Sequence, residues 1–169
     1  TRDVEDLLAY QKGLIFVEKI AKQIGPGKPY HLTIETINEI HRLITERVLP
    51  AEHSGNFRVK QIVIRNVQTG EISYSPPPAV EVSYMLEDLV NWINSRDGKN
   101  THPVIKAAII HFEIIRIHPF IAANSKTAQL LTWLILCLDE YFFQYFISPN
   151  EYFDHDSLKY YSLIFIVFQ

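Results

Sequence analysis

Residues 117–127 contain the side chains most able to do chemistry, and they read IHPFIAANSKT. His118 is the candidate base, because an imidazole titrates near neutral pH. Pro119 disfavours helical backbone at the residue before it, so a helix that precedes this segment should end at His118. The imidazole would then lie at the C-terminal mouth of that helix, where it could accept a proton from a bound group.

The second half of the segment is suited to binding an anion. A helix is predicted to begin near Asn124, and a helix N-terminus presents unpaired N–H groups and a partial positive charge. Lys126 adds a full charge in the first turn, and the small side chains at 122, 123 and 125 allow an anion close to the backbone. The predicted phosphate-sized site comprises Ala123, Asn124, Ser125 and Lys126.

The same residues also suit a purely structural role. A histidine before a proline often caps or packs against a helix end, and Asn-Ser is an ordinary helix start. Spacing alone leaves both interpretations open.

A mainly α architecture is predicted around this segment, because apolar residues recur at helical spacing through most of the chain. The predicted helices cover residues 3–23, 33–48, 79–95 (closed by Gly98), 102–117, 124–141 and from about 156 to the end. Helices 102–117 and 124–141 are apolar on most of their circumference, which predicts central, buried positions. One β-hairpin is predicted over 61–74, where β-branched residues alternate, and it is expected to act as a flap on the helical body.

The composition excludes several classes of function. The 169 residues are 47% hydrophobic and 21% charged, with a net charge of −3. A chain with a net negative charge lacks the positive potential that attracts a nucleic-acid backbone, so it is a poor binder of nucleic acid. The longest apolar runs, 128–138 and 163–168, are too short to span a bilayer, so no membrane partner is expected.

Cys137 is the single cysteine, so an internal disulfide is excluded, and a buried small hydrophobe in a cytoplasmic, reducing compartment is expected. The length predicts one domain over residues 1–169. The sequence begins without Met and ends within an apolar run, so a piece of a longer protein is expected.

The segment 118–128 resembles the signature of the Fic family, H-P-F-x-(D/E)-G-N-G-R-x-x-R. The match rests on His118-Pro119-Phe120, on Asn124 and on Lys126-Thr127-Ala128. The other stretches that resemble the family are residues 54–58, 74–78, 81–82, 89–94, 107–117, 151–153 and 160–163. The resemblance therefore covers nearly the whole chain.

This resemblance implies a Fido fold and a transfer of AMP from ATP, as substrate, to a Ser, Thr or Tyr hydroxyl of a target protein. It implies that His118 is the general base and Phe120 the buried anchor of the loop. Asn124 would shape the anion hole, and Lys126 stands where the family has its first phosphate-binding arginine. The flap would pair with an extended segment of the target. The flap residues expected to do so are Ile62, Val63, Ile64 and Tyr74.

Four of the departures from the signature touch the nucleotide phosphates, and none touches the base. Ala122 stands where the family has its acidic magnesium ligand, and a methyl group cannot coordinate Mg²⁺. Ala123 and Ser125 replace two glycines, Lys126 keeps the charge but loses the bidentate fork of arginine, and Gln129 replaces the last arginine. We therefore expect a weakened site, in which nucleotide binding suffers more than proton abstraction.

Two alternatives to a protein adenylyltransferase follow. The chain could be an inactive Fic-like module that binds a protein partner through its flap and groove. Ala123-Asn124 also resembles the loop of the Doc toxins, A-N-K-R-T-A, which implies a Doc-like phosphotransferase as a lesser alternative.

Four polar residues outside the segment carry simpler predictions. His111 is expected to be a core histidine with a satisfied hydrogen bond, and Lys106 and Glu113 to lie on a solvated stripe. Arg58 should contact substrate or form an ordinary salt bridge. The aromatic residues at 141–146, 152–153 and 160–161 are expected to pack at the core and its rim, and an exposed part of them could form a homodimer.

Overall fold

A computed structural model describes residues 2–25, 28–66 and 69–139. Two helices come first, α1 (Arg2–Ile24) and α2 (Ile34–Thr45). The Thr33 side chain caps α2 by accepting a hydrogen bond from the Thr36 N–H at 3.2 Å. Both helices were predicted, although α2 ends three residues earlier than expected.

The predicted hairpin is present, but its strands are short. Strand β1 (Ile64–Arg65) pairs antiparallel with β2 (Ile72–Tyr74), and the register shifts between its two residues. At the turn, Gly70 adopts a φ of 73°, which favours glycine. Ile62 and Val63, predicted as strand, lie before β1 without regular structure.

The region predicted as one helix over 79–95 consists of three pieces. A 3₁₀ turn (Ala79–Glu81) leads into α3 (Val82–Asn94), and a short α4 (Arg96–Asn100) follows. The prediction that Gly98 closes the longer helix was wrong, because Gly98 lies inside α4. A Cβ there would collide with the Trp92 carbonyl oxygen, so only glycine fits this close approach.

Helices α5 (Pro103–Ile117) and α6 (Asn124–Leu138) form the centre of the molecule, as their apolar circumference predicts. α6 packs against both α5 and α1. The core includes the fully buried residues Val17, Ile37, Leu86, Ile110, Ile114, Leu131 and Leu134. The loop 118–123 joins the two central helices and is therefore held from both sides.

Two polar positions on α5 differ from the prediction of a solvated stripe. The Lys106 side chain is only 8% exposed and forms an ion pair with Asp139 at 2.8 Å. Glu113 binds Arg116 one turn later, with both carboxylate oxygens near the Nε atom. His111 and Cys137 are buried as expected, and His111 contacts the Thr132 hydroxyl at 3.1 Å.

The predicted last helix from residue 156 and the aromatic cluster at 141–161 lie outside the described residues. Within residues 2–25, 28–66 and 69–139, no helix combines the length and the apolar character needed to cross a membrane.

Candidate active site

The loop between α5 and α6 begins and ends in left-handed backbone. His118 has a φ of 50° and Ala123 a φ of 60°, and in the described part of the chain they are the two positions other than glycine with positive φ. Pro119 explains why α5 does not continue through His118, because right-handed helical backbone is disfavoured at the residue before a proline. Ala123 takes a conformation that costs a residue with a Cβ on the order of 1 kcal/mol. Other contacts must offset this strain.

Phe120 supplies the largest of these contacts. Its side chain is fully buried and lies parallel to the His41 ring, with 3.7 Å between ring centroids. Phe57 packs on it at an angle, with a centroid distance of 5.5 Å. The ring therefore anchors the loop in the core, as the family resemblance implies.

Asn124 closes the loop on itself. Its Oδ1 accepts a hydrogen bond from the Phe120 N–H at 3.0 Å, and its Nδ2 donates to the Phe120 carbonyl at 2.9 Å. The side chain is 2% exposed. Asn124 therefore fixes the shape of the loop through the Phe120 backbone.

His41 on α2 is a second buried imidazole that holds the loop. The Gly55 N–H donates to its Nδ1 at 2.9 Å, which leaves Nε2 to donate to the Ala122 carbonyl at 3.1 Å. This pattern requires one proton on the ring. Burial lowers the pKa of His41 from 6.5 to about 4, so the ring is neutral at physiological pH.

Arg58 ties the loop to the end of the hairpin. Its Nε donates to the His118 carbonyl at 2.8 Å, and its Nη2 donates to the Pro77 carbonyl at 2.6 Å and to the Ile117 carbonyl at 3.3 Å. The residue is only 3% exposed. The prediction of a substrate contact or a salt bridge was wrong, because these bonds direct the buried guanidinium to backbone carbonyls.

His118 has the protonation state that a base requires. Its Nδ1 lies 3.4 Å from the Ile115 carbonyl, which can only accept, so Nδ1 carries the proton and Nε2 keeps a lone pair. Burial lowers the pKa of His118 to about 4, the Ile115 carbonyl opposes this shift, and the Arg58 charge adds to it. The imidazole is therefore neutral near pH 7.

His118 and the predicted anion site line one cavity of about 360 Å³. One wall consists of His118, Ala122, Ala123, Asn124, Ser125 and Lys126. The end of α2 and the residues after it supply the opposite wall with Ile44, Thr45, Val48 and Leu49. The loop residues predicted from the sequence thus line the same cavity. The opposite wall of this cavity is largely apolar.

Asp6 of α1 also lines the cavity, which the sequence pattern did not indicate. Its Oδ2 lies 3.4 Å from Lys126 Nζ, and both side chains are about 40% exposed. Lys126 therefore already has an acidic partner at the cavity wall. A phosphate entering the cavity would compete with Asp6 for this ammonium group.

The described residues do not fit a magnesium site. Mg²⁺ is held in proteins by carboxylates and phosphate oxygens. Ala122 offers only its backbone, whose carbonyl accepts from His41, and among the residues that line the cavity Asp6 is the one carboxylate. Across residues 2–25, 28–66 and 69–139, no group of three or more His, Cys, Asp or Glu residues could hold a metal.

The flap residues lie outside the lining of this cavity. Val63 is 40% exposed and Ile72 54% exposed, whereas Ile62, Ile64 and Tyr74 are half-buried. The Tyr74 hydroxyl donates to the Arg116 carbonyl at 2.7 Å, so this side chain anchors the hairpin to α5. In the described part of the sheet each strand has one paired edge, and the other edge offers its backbone to an added strand.

Comparison with known proteins identifies the family and the fold. A family model described as Fic/DOC family matches residues 31–136. A protein adenylyltransferase Fic from Drosophila ananassae is 33% identical over 100 residues, which cover 59% of this chain and 18% of the relative. The chain thus spans about a fifth of the length of the curated relatives it matches.

Solved structures show the same fold. A Fic domain containing signaling protein from Bacteroides thetaiotaomicron superposes with a TM-score of 0.68 at 29% identity, covering 82% of this chain and 49% of that one. Fic-1 from C. elegans superposes with a TM-score of 0.65 at 25% identity, covering 80% of this chain and 37% of that one.

Proposed function

The chain belongs to the Fic/DOC family, and on this premise we propose that it transfers AMP from ATP to a hydroxyl group of a target protein. The observation that carries the proposal is the neutral His118 imidazole, which lines the same cavity as Lys126 and the start of α6. A base and an anion site in one cavity are the two parts that such a transfer requires.

In this proposal His118 Nε2 takes the proton of the target hydroxyl. The hydroxyl oxygen attacks the α-phosphorus of ATP, the bond from that phosphorus to the bridging oxygen breaks, and pyrophosphate leaves with the bond electrons. Lys126 and the N-terminal amides of α6 stabilise the negative charge on the phosphate oxygens. The Nδ1–H bond to the Ile115 carbonyl keeps the lone pair on Nε2.

The target segment would lie along the free edge of the hairpin. Strand addition supplies backbone hydrogen bonds that are independent of sequence, and the exposed Val63 and Ile72 side chains would contribute apolar contact. Arg58 joins the end of this hairpin to the His118 carbonyl, so a target held by the flap would be positioned relative to the base.

The activity should be weak, because several positions that would contact the phosphates or their metal in the family signature are changed in this chain. Ala122 provides no carboxylate for a metal, and Lys126 already faces Asp6. No step is therefore assigned to Mg²⁺. The restored variant Ala122→Asp with Lys126→Arg should transfer AMP faster than the unmodified chain, because it regains a metal ligand and a bidentate phosphate contact.

ATP labelled on its α- or γ-phosphate tests the proposal. The chain is incubated with either label and a protein extract, and covalently bound label is counted. AMP transfer places α-label, but no γ-label, on protein, and His118→Ala should remove at least about 99% of it, since general base catalysis contributes roughly 100-fold or more. The matched control is His31→Ala, an exposed histidine outside the cavity.

Covalent γ-label would instead indicate the Doc-like phosphoryl transfer. The proposal fails if protein carries no label with either the unmodified chain or the restored variant, or if His118→Ala labels as well as the parent.

A second candidate function is favoured by one observation, the pairing of Asp6 with Lys126 inside the cavity. A cavity whose lysine already pairs with a carboxylate suits a module that has lost ATP binding and retains the flap for a protein partner. Thermal unfolding separates the two functions, because a ligand that binds the folded chain raises Tm. Millimolar ATP should raise Tm for the enzyme and leave it unchanged for the binding module.

A further inference from the structure

A cavity of about 260 Å³ lies between α3 and α5, and it shares no residue with the cavity that contains His118. We call it the α3–α5 cavity. Its apolar residues are Met85, Leu89, Trp92 and Ile109. The volume is below the roughly 300–1,000 Å³ of sites that enclose a whole small-molecule ligand. The cavity therefore suits one long side chain of a bound protein.

The charged residues of the α3–α5 cavity leave one carboxylate available. Glu113 and Arg116 bind each other, with both Glu113 carboxylate oxygens within 3.1 Å of Arg116 Nε. Asp88 also lines the cavity and is exposed, and it forms no ion pair with another residue in the described part of the chain. An incoming group would thus find Arg116 already held and Asp88 open to a cation.

The surface around Asp88 is acidic as well. The 3₁₀ turn and α3 carry Glu81, Glu87 and Asp88, all exposed, and they contain no lysine, arginine or histidine. Such a surface attracts a basic segment and repels an acidic one. The charges on this side of the molecule therefore favour a basic partner.

A lysine or arginine side chain fits both features of the cavity. Its apolar stem can lie against apolar side chains while its charged group stays at the rim, near Asp88. Trp92 adds to this fit, because indole rings attract cations. An acidic side chain would instead meet two carboxylates and a guanidinium group that is already paired.

The cavity lies beside the hairpin that is proposed to receive the target. Tyr74, the last residue of β2, donates its hydroxyl to the Arg116 carbonyl at 2.7 Å. Arg116 lines the cavity and precedes His118 by two residues. A target held along the hairpin and reacting at His118 would therefore have neighbouring residues within reach of this cavity.

We infer that the α3–α5 cavity binds a lysine or arginine side chain of the target protein, close in sequence to the hydroxyl that receives AMP. This inference rests on the proposed function, because it concerns the target of that transfer. Strand addition along the hairpin is largely independent of sequence. The cavity would supply the selectivity that backbone pairing lacks.

Peptide binding in the absence of ATP tests the inference separately from the transfer. The probes are three libraries of short, fluorescently labelled peptides that differ only at a central residue, which is arginine, citrulline or glutamate. Citrulline has the shape of arginine without its charge. In fluorescence polarisation with the 169-residue chain, the arginine library should bind about three- to thirtyfold more tightly than the citrulline library, because citrulline loses the charge pair and the cation–π contact. The glutamate library should bind most weakly.

Substitutions of Asp88 assign the preference to this cavity. Asp88→Asn should weaken binding of the arginine library by up to about fivefold, the effect of one exposed charge pair. Asp88→Lys should favour the glutamate library over the arginine library. The matched control is Asp97→Asn, which removes the same charge from an exposed position on α4 outside the cavity and should bind like the parent.

The fluorescence of Trp92 locates the bound peptide independently of the Asp88 variants. The chain has two tryptophans, so Trp133→Phe leaves Trp92 as the single one. Unlabelled arginine peptides should change the Trp92 emission in this variant. The change should saturate at the dissociation constant that polarisation gives.

The inference is overturned if arginine and citrulline peptides bind equally, if Asp88→Asn keeps the full preference, or if binding leaves the Trp92 emission unchanged. Absence of binding by all three libraries also overturns it and would assign the cavity to a different occupant. An arginine preference without AMP labelling of any protein would instead support the binding site and contradict the proposed transfer.

Discussion

The loop 118–123 and the hairpin 64–74 are held in opposite ways. The loop carries strained backbone at both ends and is fixed by Phe120, Asn124, His41 and Arg58. The hairpin has strands of two and three residues and exposes Val63 and Ile72. A base must keep a fixed position relative to the phosphate, whereas a surface that receives a target by strand addition can remain loosely packed.

The two regions are joined by one side chain. Arg58 donates to carbonyls of Ile117 and His118 in the loop region and of Pro77 after the hairpin. Arg58 holds both regions in place, so the loop and the hairpin differ in how tightly they are packed. Substitutions that affect only one of the two regions test this difference.

Lowering the pH should produce the largest effect, because three histidines that burial keeps neutral lie in the loop or on the helices packed around it, at 118 in the loop, 41 on α2 and 111 on α5, whereas the hairpin contains none. Burial lowers the pKa of His41, His111 and His118 from 6.5 to about 4. Between these values the unfolded chain binds protons that the folded chain excludes. Their contribution is complete above about pH 6.5 and is lost as pH falls toward 4, by several kcal/mol in total as an order of magnitude.

Thermal unfolding followed by circular dichroism from pH 7 to pH 4 measures this loss. Tm should fall steadily below pH 6.5, and His31→Asn, at an exposed position, should show the same fall as the parent. A Tm that stays constant down to pH 4.5 would contradict the buried, neutral state of these rings.

Phe120→Ala should have the next largest effect. The substitution leaves a cavity beside His41 and Phe57, and large-to-small changes of this kind cost about 3–5 kcal/mol. For a chain of this size that corresponds to a fall in Tm on the order of 10 °C. Ile121→Ala, at the next residue but 39% exposed, is the control and should move Tm by only a few degrees. Equal effects at the two positions would mean that Phe120 does not anchor the loop.

Arg58→Met should cost about 2–3 kcal/mol, because several carbonyls lose a charged donor while the apolar stem is kept. Hydrogen exchange should rise in both the loop and the hairpin, since Arg58 bonds to the loop and to the segments that flank the hairpin, at Lys60 and Pro77. Arg42→Met, on the exposed side of α2, is the matched control. If exchange rises only in the hairpin, Arg58 does not hold the loop.

Removing the exposed hairpin side chains should have the smallest effect on stability. Val63→Ala with Ile72→Ala should change the free energy of unfolding by about 0.5 kcal/mol or less, because both side chains already contact water. In the labelled ATP experiment the same variant should place less AMP on target proteins. A Tm loss as large as that of Phe120→Ala would remove the contrast between the two regions.

Local pattern predicted much of the fold. Pro119 indicated the end of α5 at His118, and the apolar circumference of α5 and α6 indicated their central position, both as observed. Ile62 and Val63 were predicted as strand because they are β-branched, but the paired region begins only at Ile64. β-strand propensity indicates only that a residue type suits a strand. Whether the residue is paired depends on the partner strand and its register.

The residues that hold the candidate site in place could not be predicted from local pattern. His41 meets the Ala122 carbonyl across 81 positions of sequence, and Lys126 meets Asp6 across 120. The two residues of each pair lie in different elements. Residue spacing along a single helix or strand therefore cannot predict that they meet. Lys106 was predicted to be solvated for a related reason, since its partner Asp139 comes from the end of a different helix.

A crystal structure of the chain soaked with ATP would show whether His118 and the start of α6 form one site for a reacting phosphate. We expect phosphate oxygens within hydrogen-bond distance of Lys126 Nζ or the first amides of α6, Asp6 displaced from Lys126, and His118 Nε2 facing the α-phosphorus. Nucleotide bound elsewhere, or an intact pair of Asp6 and Lys126 with no phosphate in the cavity, would contradict it.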